Sequence, residues 1–133
     1  MTTIADVRQG LADAAAVCGI PTYAYEADVI TVPSLYVSRL EYDPRFVFSQ
    51  AKAPLRFLII GYFNRTPTET SLRLIDTLSE YTGDGSLTAA VQSSSNWGPT
   101  VDYASVTSVG RAEVVQIAGI EYLSVTFEVE VVF

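Results

Sequence analysis

The chain has 133 residues, 49% hydrophobic and 17% charged, with 15 acidic against 8 basic side chains, a net charge of −7 and no histidine. One cysteine, Cys18, and one lysine, Lys52, are present; these residue types carry much of general acid–base, nucleophilic and metal-ligating chemistry, so the composition points toward binding or building rather than catalysis. The arginines (Arg8, Arg39, Arg45, Arg56, Arg65, Arg73, Arg111) are spread singly, which excludes the clustered cations of a sequence-reading nucleic-acid binder.

The hydrophobic content excludes intrinsic disorder, and the length suits a single domain over residues 1–133 with its own core. No apolar run approaches the roughly 20 residues needed to cross a bilayer. Met1–Asp6 has neither the basic start nor the apolar stretch of a signal peptide. Cys18 cannot close an internal disulfide and fits synthesis in a reducing compartment.

Ile4, Val7, Leu11, Ala14 and Cys18 recur at helical spacing, predicting an N-terminal helix with Thr3 as N-cap and Gly19 and Pro21 as its stop. Cys18 lies on the buried stripe and reads as a core residue. Residues 22–30 are expected to be extended, with a turn at Pro33. Residues 34–42 read as a strand with Leu35, Val37 and Arg39 on one face and Tyr36, Ser38 and Leu40 on the other. The stretch between Pro44 and Pro54 reads as a loop. Leu55–Phe63 is dense in apolar residues, which predicts a central strand covered on both faces.

Thr66, Pro67 and Glu69 form a capping-box pattern before a helix with Leu72, Ile75 and Leu78 on one face and Leu74 alongside. Gly83 is its expected stop, and Ser86 starts a short helix holding Leu87, Ala90 and Val91. Residues 93–99 are a polar turn containing Trp97. Ser105–Ile117 reads as one strand with an irregularity at Gly110, and Ala118-Gly119 as a tight turn. From Leu123 the chain alternates: Val125, Phe127, Val129, Val131 and Phe133 face one way, Ser124, Thr126, Glu128 and Glu130 the other. Burying that apolar set contributes on the order of 10 kcal/mol gross, before entropy. The expected architecture is α+β: a twisted, largely antiparallel sheet of four to five strands, with two to three helices packed on one face.

Chemistry-bearing patterns are few. Glu26/Asp28 and Glu128/Glu130 are pairs spaced by two, each sharing a strand face. Such pairs can do acid–base work or hold a hard cation, and otherwise form a solvated face. Gly83-Asp84-Gly85-Ser86 follows a helix and has no lysine near it, so it reads as a helix stop leading into a cap rather than a phosphate loop. Asn64-Arg65-Thr66 matches a glycosylation acceptor in form only. The informative outliers are loop aromatics: Phe46 and Phe48 with Val47, between Arg45 and Lys52, and Trp97 with Tyr103 just after it. Such residues either tuck onto their own core or mark a docking surface; the 44–54 loop favours a partner contact.

The order of parts resembles the tail terminator proteins of long-tailed bacteriophages, particularly those of actinobacteria, over nearly the whole chain. The resemblance rests on Tyr-Ala-Tyr-Glu-Ala-Asp (23–28), Tyr-Asp-Pro-Arg-Phe (42–46), Leu-Ile-Asp-Thr-Leu-Ser (74–79), Gly-Ser-Leu-Thr-Ala-Ala-Val (85–91), Ile-Ala-Gly-Ile (117–120) and Tyr-Leu-Ser-Val-Thr-Phe-Glu-Val-Glu-Val (122–131). It implies a non-enzymatic virion protein needing no cofactor or metal. Six copies would form a ring at the head-proximal end of the tail tube, stopping its polymerisation and joining it to the head connector. Its partners would be itself, the tube protein and the connector or stopper, with DNA passing through the ring. In that setting Arg45, Phe46, Phe48, Lys52, Trp97 and Tyr103 are the expected subunit or partner contacts. Asp102, Glu113, Glu128 and Glu130 are the expected acidic lining, which would discourage DNA from sticking. A head-closing stopper or other neck protein is the nearest alternative, and a small-ligand-binding or hydrolytic domain using acidic residues the remoter one.

Overall fold

The computed structural model describes residues 4–25, 30–41, 55–66, 68–93, 96–97 and 103–132. The first amphipathic stretch forms α1 (Ile4–Ala15), which buries Val7, Leu11 and Ala14. It tightens into a 3-10 turn at Ala16–Cys18. Gly19 then takes the left-handed conformation at φ 100 and its N–H donates to the Ala16 carbonyl, a geometry that glycine adopts without a Cβ clash. The expected cap, Thr3, lies outside the described residues.

Of the extended stretch expected over 22–30, Thr22–Tyr23 joins the sheet as β1, running parallel to β2 (Ser34–Glu41). β2 pairs antiparallel with β3 (Leu55–Asn64), but the register passes from Ser38↔Leu58 to Leu40↔Phe57. Arg39 is the extra residue of that bulge, so the alternation read through residues 35–40 breaks there.

Between β3 and the last third of the chain lie α2 (Thr68–Ser79) and α3 (Leu87–Gln92). The start of α2 departs from the capping box. Glu69 pairs with Arg73 one turn on, at 2.9 Å, while the Thr68 hydroxyl donates to the Arg65 carbonyl at 2.8 Å. The buried stripe of α2 is Ser71, Ile75 and Leu78, and Leu72 is 39% exposed. Ser71 is held there because its hydroxyl donates to the Asn64 carbonyl at the end of β3. The helix ends at Ser79, short of Gly83. Ser86 caps α3 as its sequence suggests, accepting from the Ala89 N–H at 3.1 Å and donating to the Glu80 carbonyl.

β4 (Tyr103–Val109) and β5 (Glu113–Ile117) replace the single strand expected over 105–117. The break falls at Gly110, whose N–H donates to the Thr126 carbonyl at 2.7 Å; a Cβ there would stand 3.2 Å from that oxygen. Both strands lie along one edge of β6 (Ile120–Val132), whose other edge pairs with β3. Ala118 (φ 51) and Gly119 (φ 82) form the two-residue turn that joins β5 to β6, the positive-φ pair expected of a tight hairpin.

The architecture is therefore α+β, a six-stranded sheet ordered β1-β2-β3-β6-β4 with β5 beside β6. The three helices lie on one face. Leu35 and Val37 of β2, Leu55, Phe57, Ile59 and Phe63 of β3, and Leu123 to Val131 at odd positions of β6 point toward them and are buried. On β3 the intervening residues are exposed or half-buried. The strand is central, as its apolar density predicts; among the described residues the helices lie on one face and none lies on the other.

Candidate interaction surface

The registers arrange the face away from the described helices in rows, because antiparallel partners project to the same side. One row is Tyr36–Ile60–Thr126. Below it lie Ser38–Leu58–Glu128–Ser108 and Arg56–Glu130–Ser105. Above it lie Ser34–Tyr62–Ser124–Glu113 and then Asn64–Tyr122–Val115.

Four tyrosines cross these rows on a diagonal. Tyr23 stacks on Tyr36 at 5.3 Å between ring centroids, Tyr36 meets Tyr62 edge-on at 5.8 Å, and Tyr62 meets Tyr122 edge-on at 6.1 Å. These are favourable aromatic geometries, and Tyr36 is only 2% exposed on a face that carries no helix among the described residues. Leu58, Ile60, Tyr62 and Thr126 remain half-buried. Glu128 accepts a 3.3 Å hydrogen bond from the Ser108 hydroxyl. Glu113 stands 4.0 Å from Arg111, both well exposed, a pair that contributes little to stability.

Three expected lumen residues, Glu113, Glu128 and Glu130, thus share one sheet face. Tyr103, opposite Val132 on that face, is 52% exposed. Trp97 is corrected. It is 8% exposed, and its indole N–H donates to the Val91 carbonyl, so this loop aromatic tucks onto its own core and offers no free surface. Arg45, Phe46, Phe48, Lys52 and Asp102, and the Glu26/Asp28 pair, lie outside the described residues.

The structure adds a feature that the strand alternation does not reveal. The β5–β6 hairpin runs past the end of β3, whose pairing stops at Asn64↔Tyr122. Val114 and Ile120 on it are 50% and 56% exposed. Among the described residues the outer edge of β5 has no neighbouring strand. An edge of this kind, without proline or lysine, is open to pairing.

A cavity of about 320 Å³ opens elsewhere, between the 3-10 turn and the ends of α3, lined by Val17, Gly83, Asp84, Ala89, Ala90 and Asn96. Asp84 is its one carboxylate among the described residues, and the Asn96 amide donates to the Ala90 carbonyl at 2.9 Å. Among the described residues no three His, Cys, Asp or Glu side chains converge as metal ligands. No helix of the described residues is long and apolar enough to cross a membrane. No protein-family model matches the chain, and no curated protein is significantly similar to it.

Proposed function

We propose that this chain is a structural protein of a long-tailed phage particle, of the tail-terminator type. Six copies close into a ring at the head-proximal end of the tail tube. The ring halts tube growth and gives the head connector a docking face. The observation that carries an assembly role is the β5–β6 hairpin, whose tip passes the end of β3, with Val114 on β5 and Ile120 at the tip exposed and the outer edge of β5 unpaired among the described residues.

A hairpin that reaches beyond its own sheet suits a head-to-tail contact, the kind that closes rings. The arm offers apolar side chains and main-chain hydrogen-bonding groups together, which favours a protein neighbour. Glu113, Glu128 and Glu130 are assigned in this reading to the channel wall, where carboxylates weaken DNA adhesion.

Deleting the gene from its parent phage and imaging the particles by negative-stain microscopy tests the proposal. Overlong, headless tails of uneven length are the expected outcome. Tails of normal length that fail to join heads would instead identify a stopper or joining protein. Intact infectious virions would overturn the structural reading.

A further inference from the structure

We propose that β5 is a pairing edge for a second copy of this chain. The two β5 strands run antiparallel about a two-fold axis at Val115 and join two sheets edge to edge. The pairing itself does not rest on the ring reading. One consequence does: the edge assigned there to a neighbouring subunit stays covered until assembly.

Chain length keeps this edge open. Among the described residues β5 packs on β6 and has no strand on its other side. The segments outside the described residues are too short to supply one. The longest, residues 42–54, is tied at Glu41 and Leu55. Leu55 pairs with Val131 and Val115 with Tyr122, so nine residues of β6 separate the two rows, about 30 Å along the strand. Thirteen residues held at both ends extend at most about 25 Å. The other segments hold five residues or fewer and adjoin β1, the helices or the far end of the sheet at Tyr103 and Val132. They extend about 11 Å at most.

Hairpin parity decides which main-chain groups are free. The two-residue turn at Ala118-Gly119 makes Ile117 and Ile120 a hydrogen-bonded pair, and such pairs alternate along an antiparallel ladder. Glu113, Val115 and Ile117 therefore turn their N–H and C=O groups toward β6, while Val114 and Gln116 turn theirs outward. The Gly110 N–H meets the Thr126 carbonyl in the same phase, since even-numbered residues of β6 serve this edge. A second β5 laid antiparallel about Val115 sets Val114 opposite Gln116 of the other copy, twice over. Each such pair exchanges two hydrogen bonds, so every outward group of both strands is satisfied. A slip of the register would instead set Gln116 opposite Ala112, outside β5, or Val114 opposite Ala118 in the turn.

The contact is isologous, so the strand must also suit itself in its side chains. On one face Val115 meets Val115 on the axis, with Ile117 on either side. Glu113 stands opposite Ile117 of the other copy, four positions from the second Glu113 and about 14 Å from it. Two chains at −7 thus bring no carboxylates together in the pair. On the other face Val114, 50% exposed, packs against the Gln116 stem of the other copy and lies diagonal to its Val114. A five-residue edge is smaller than a standard interface, which makes the pair weak and reversible.

Sedimentation velocity of the purified chain from micromolar to millimolar concentration, with amide hydrogen exchange followed by NMR, tests the pairing. Wild type is expected to show a reversible monomer–dimer equilibrium. The Val114 and Gln116 amides are expected to exchange more slowly as concentration rises, and those of Glu113 and Val115 to change less. Val114 and Gln116 are both exposed, so charges placed there leave the fold intact. The double variant Val114→Lys/Gln116→Lys sets like charges opposite each other in the pair, as does Val114→Glu/Gln116→Glu. Each is expected to stay monomeric with native circular dichroism. An equimolar mixture of the two is expected to recover the dimer, because opposite charges then face each other. A wild type that stays monomeric, a dimer whose Val114 and Gln116 amides exchange at monomer rates, variants that still dimerise, or a mixture that stays monomeric would each overturn the pairing. The ring is judged separately, by the particles that the gene deletion leaves.

Discussion

The indole N–H of Trp97 donates a 2.8 Å hydrogen bond to the main-chain carbonyl of Val91, in the last turn of α3. The last carbonyls of a helix have no partner within it. Asn96 serves Ala90 in the same way, so two side chains from the turn after α3 finish a helix of only six residues. The tryptophan is therefore a helix terminator and a core residue at once.

Replacing Trp97 by phenylalanine keeps most of the apolar body and deletes the donor. A buried acceptor left unpaired costs about 1–3 kcal/mol, so Trp97→Phe is expected to lower stability by that amount in urea unfolding followed by circular dichroism. Trp97→Ala, which also opens a cavity, is expected to cost about 3–5 kcal/mol. A Trp97→Phe variant as stable as wild type would refute the hydrogen-bonding role.

Gly61 sits on the helix-facing side of β3, and a Cβ there would stand 2.8 Å from the Phe63 ring and 3.0 Å from Leu35 Cδ2. Phe63 and Leu35 are 1% and 0% exposed, so neither has room to retreat. The glycine is the gap into which the ring leans. Overpacking of a closed core costs about 1–3 kcal/mol, and Gly61→Ala is expected to be destabilised within that range. An unchanged melting temperature would show that the ring can move aside.

Much of this fold was legible because periodicity reports burial. The α1 stripe, the Ser86 cap, the Ala118-Gly119 turn and the alternation of β6 all follow from local chemistry. What escaped depends on partners distant in sequence. Arg8 is one of seven scattered arginines, and nothing in its spacing marks it out. Its guanidinium nevertheless donates to the Ala24 and Val37 carbonyls at 3.1 and 2.9 Å and lies over the rings of Tyr25 and Phe57.

The apolar density of β3 likewise suggested two covered faces, since half-buried Leu58 and Ile60 look like core residues in sequence. Only the placement of the described helices on the other side separates them from the helix-facing core. In the candidate surface, alternation placed Glu128 and Glu130 together. Joining Glu113 and the tyrosine diagonal to them required the pairing registers.

Cys18 gives a pH signature. Its side chain is buried at the end of the first helical segment, and burial pushes its thiol above the ordinary value of 9.0, with backbone hydrogen bonds opposing more weakly. Desolvation disfavours the thiolate, so the native state holds the neutral thiol. Below pH 9.0 both folded and unfolded chains keep the proton, and the contribution of the buried thiol to stability is fully present. As pH rises past 9.0 the unfolded chain ionises first, binds fewer protons than the native one, and stability falls with pH up to the raised native value. Urea midpoints of wild type and Cys18→Ala on either side of pH 9.0 isolate this contribution, since other titrating groups are common to both chains. Wild type is expected to lose more stability than the variant on the alkaline side. Parallel losses would mean that Cys18 ionises as readily in the native state as in the unfolded chain.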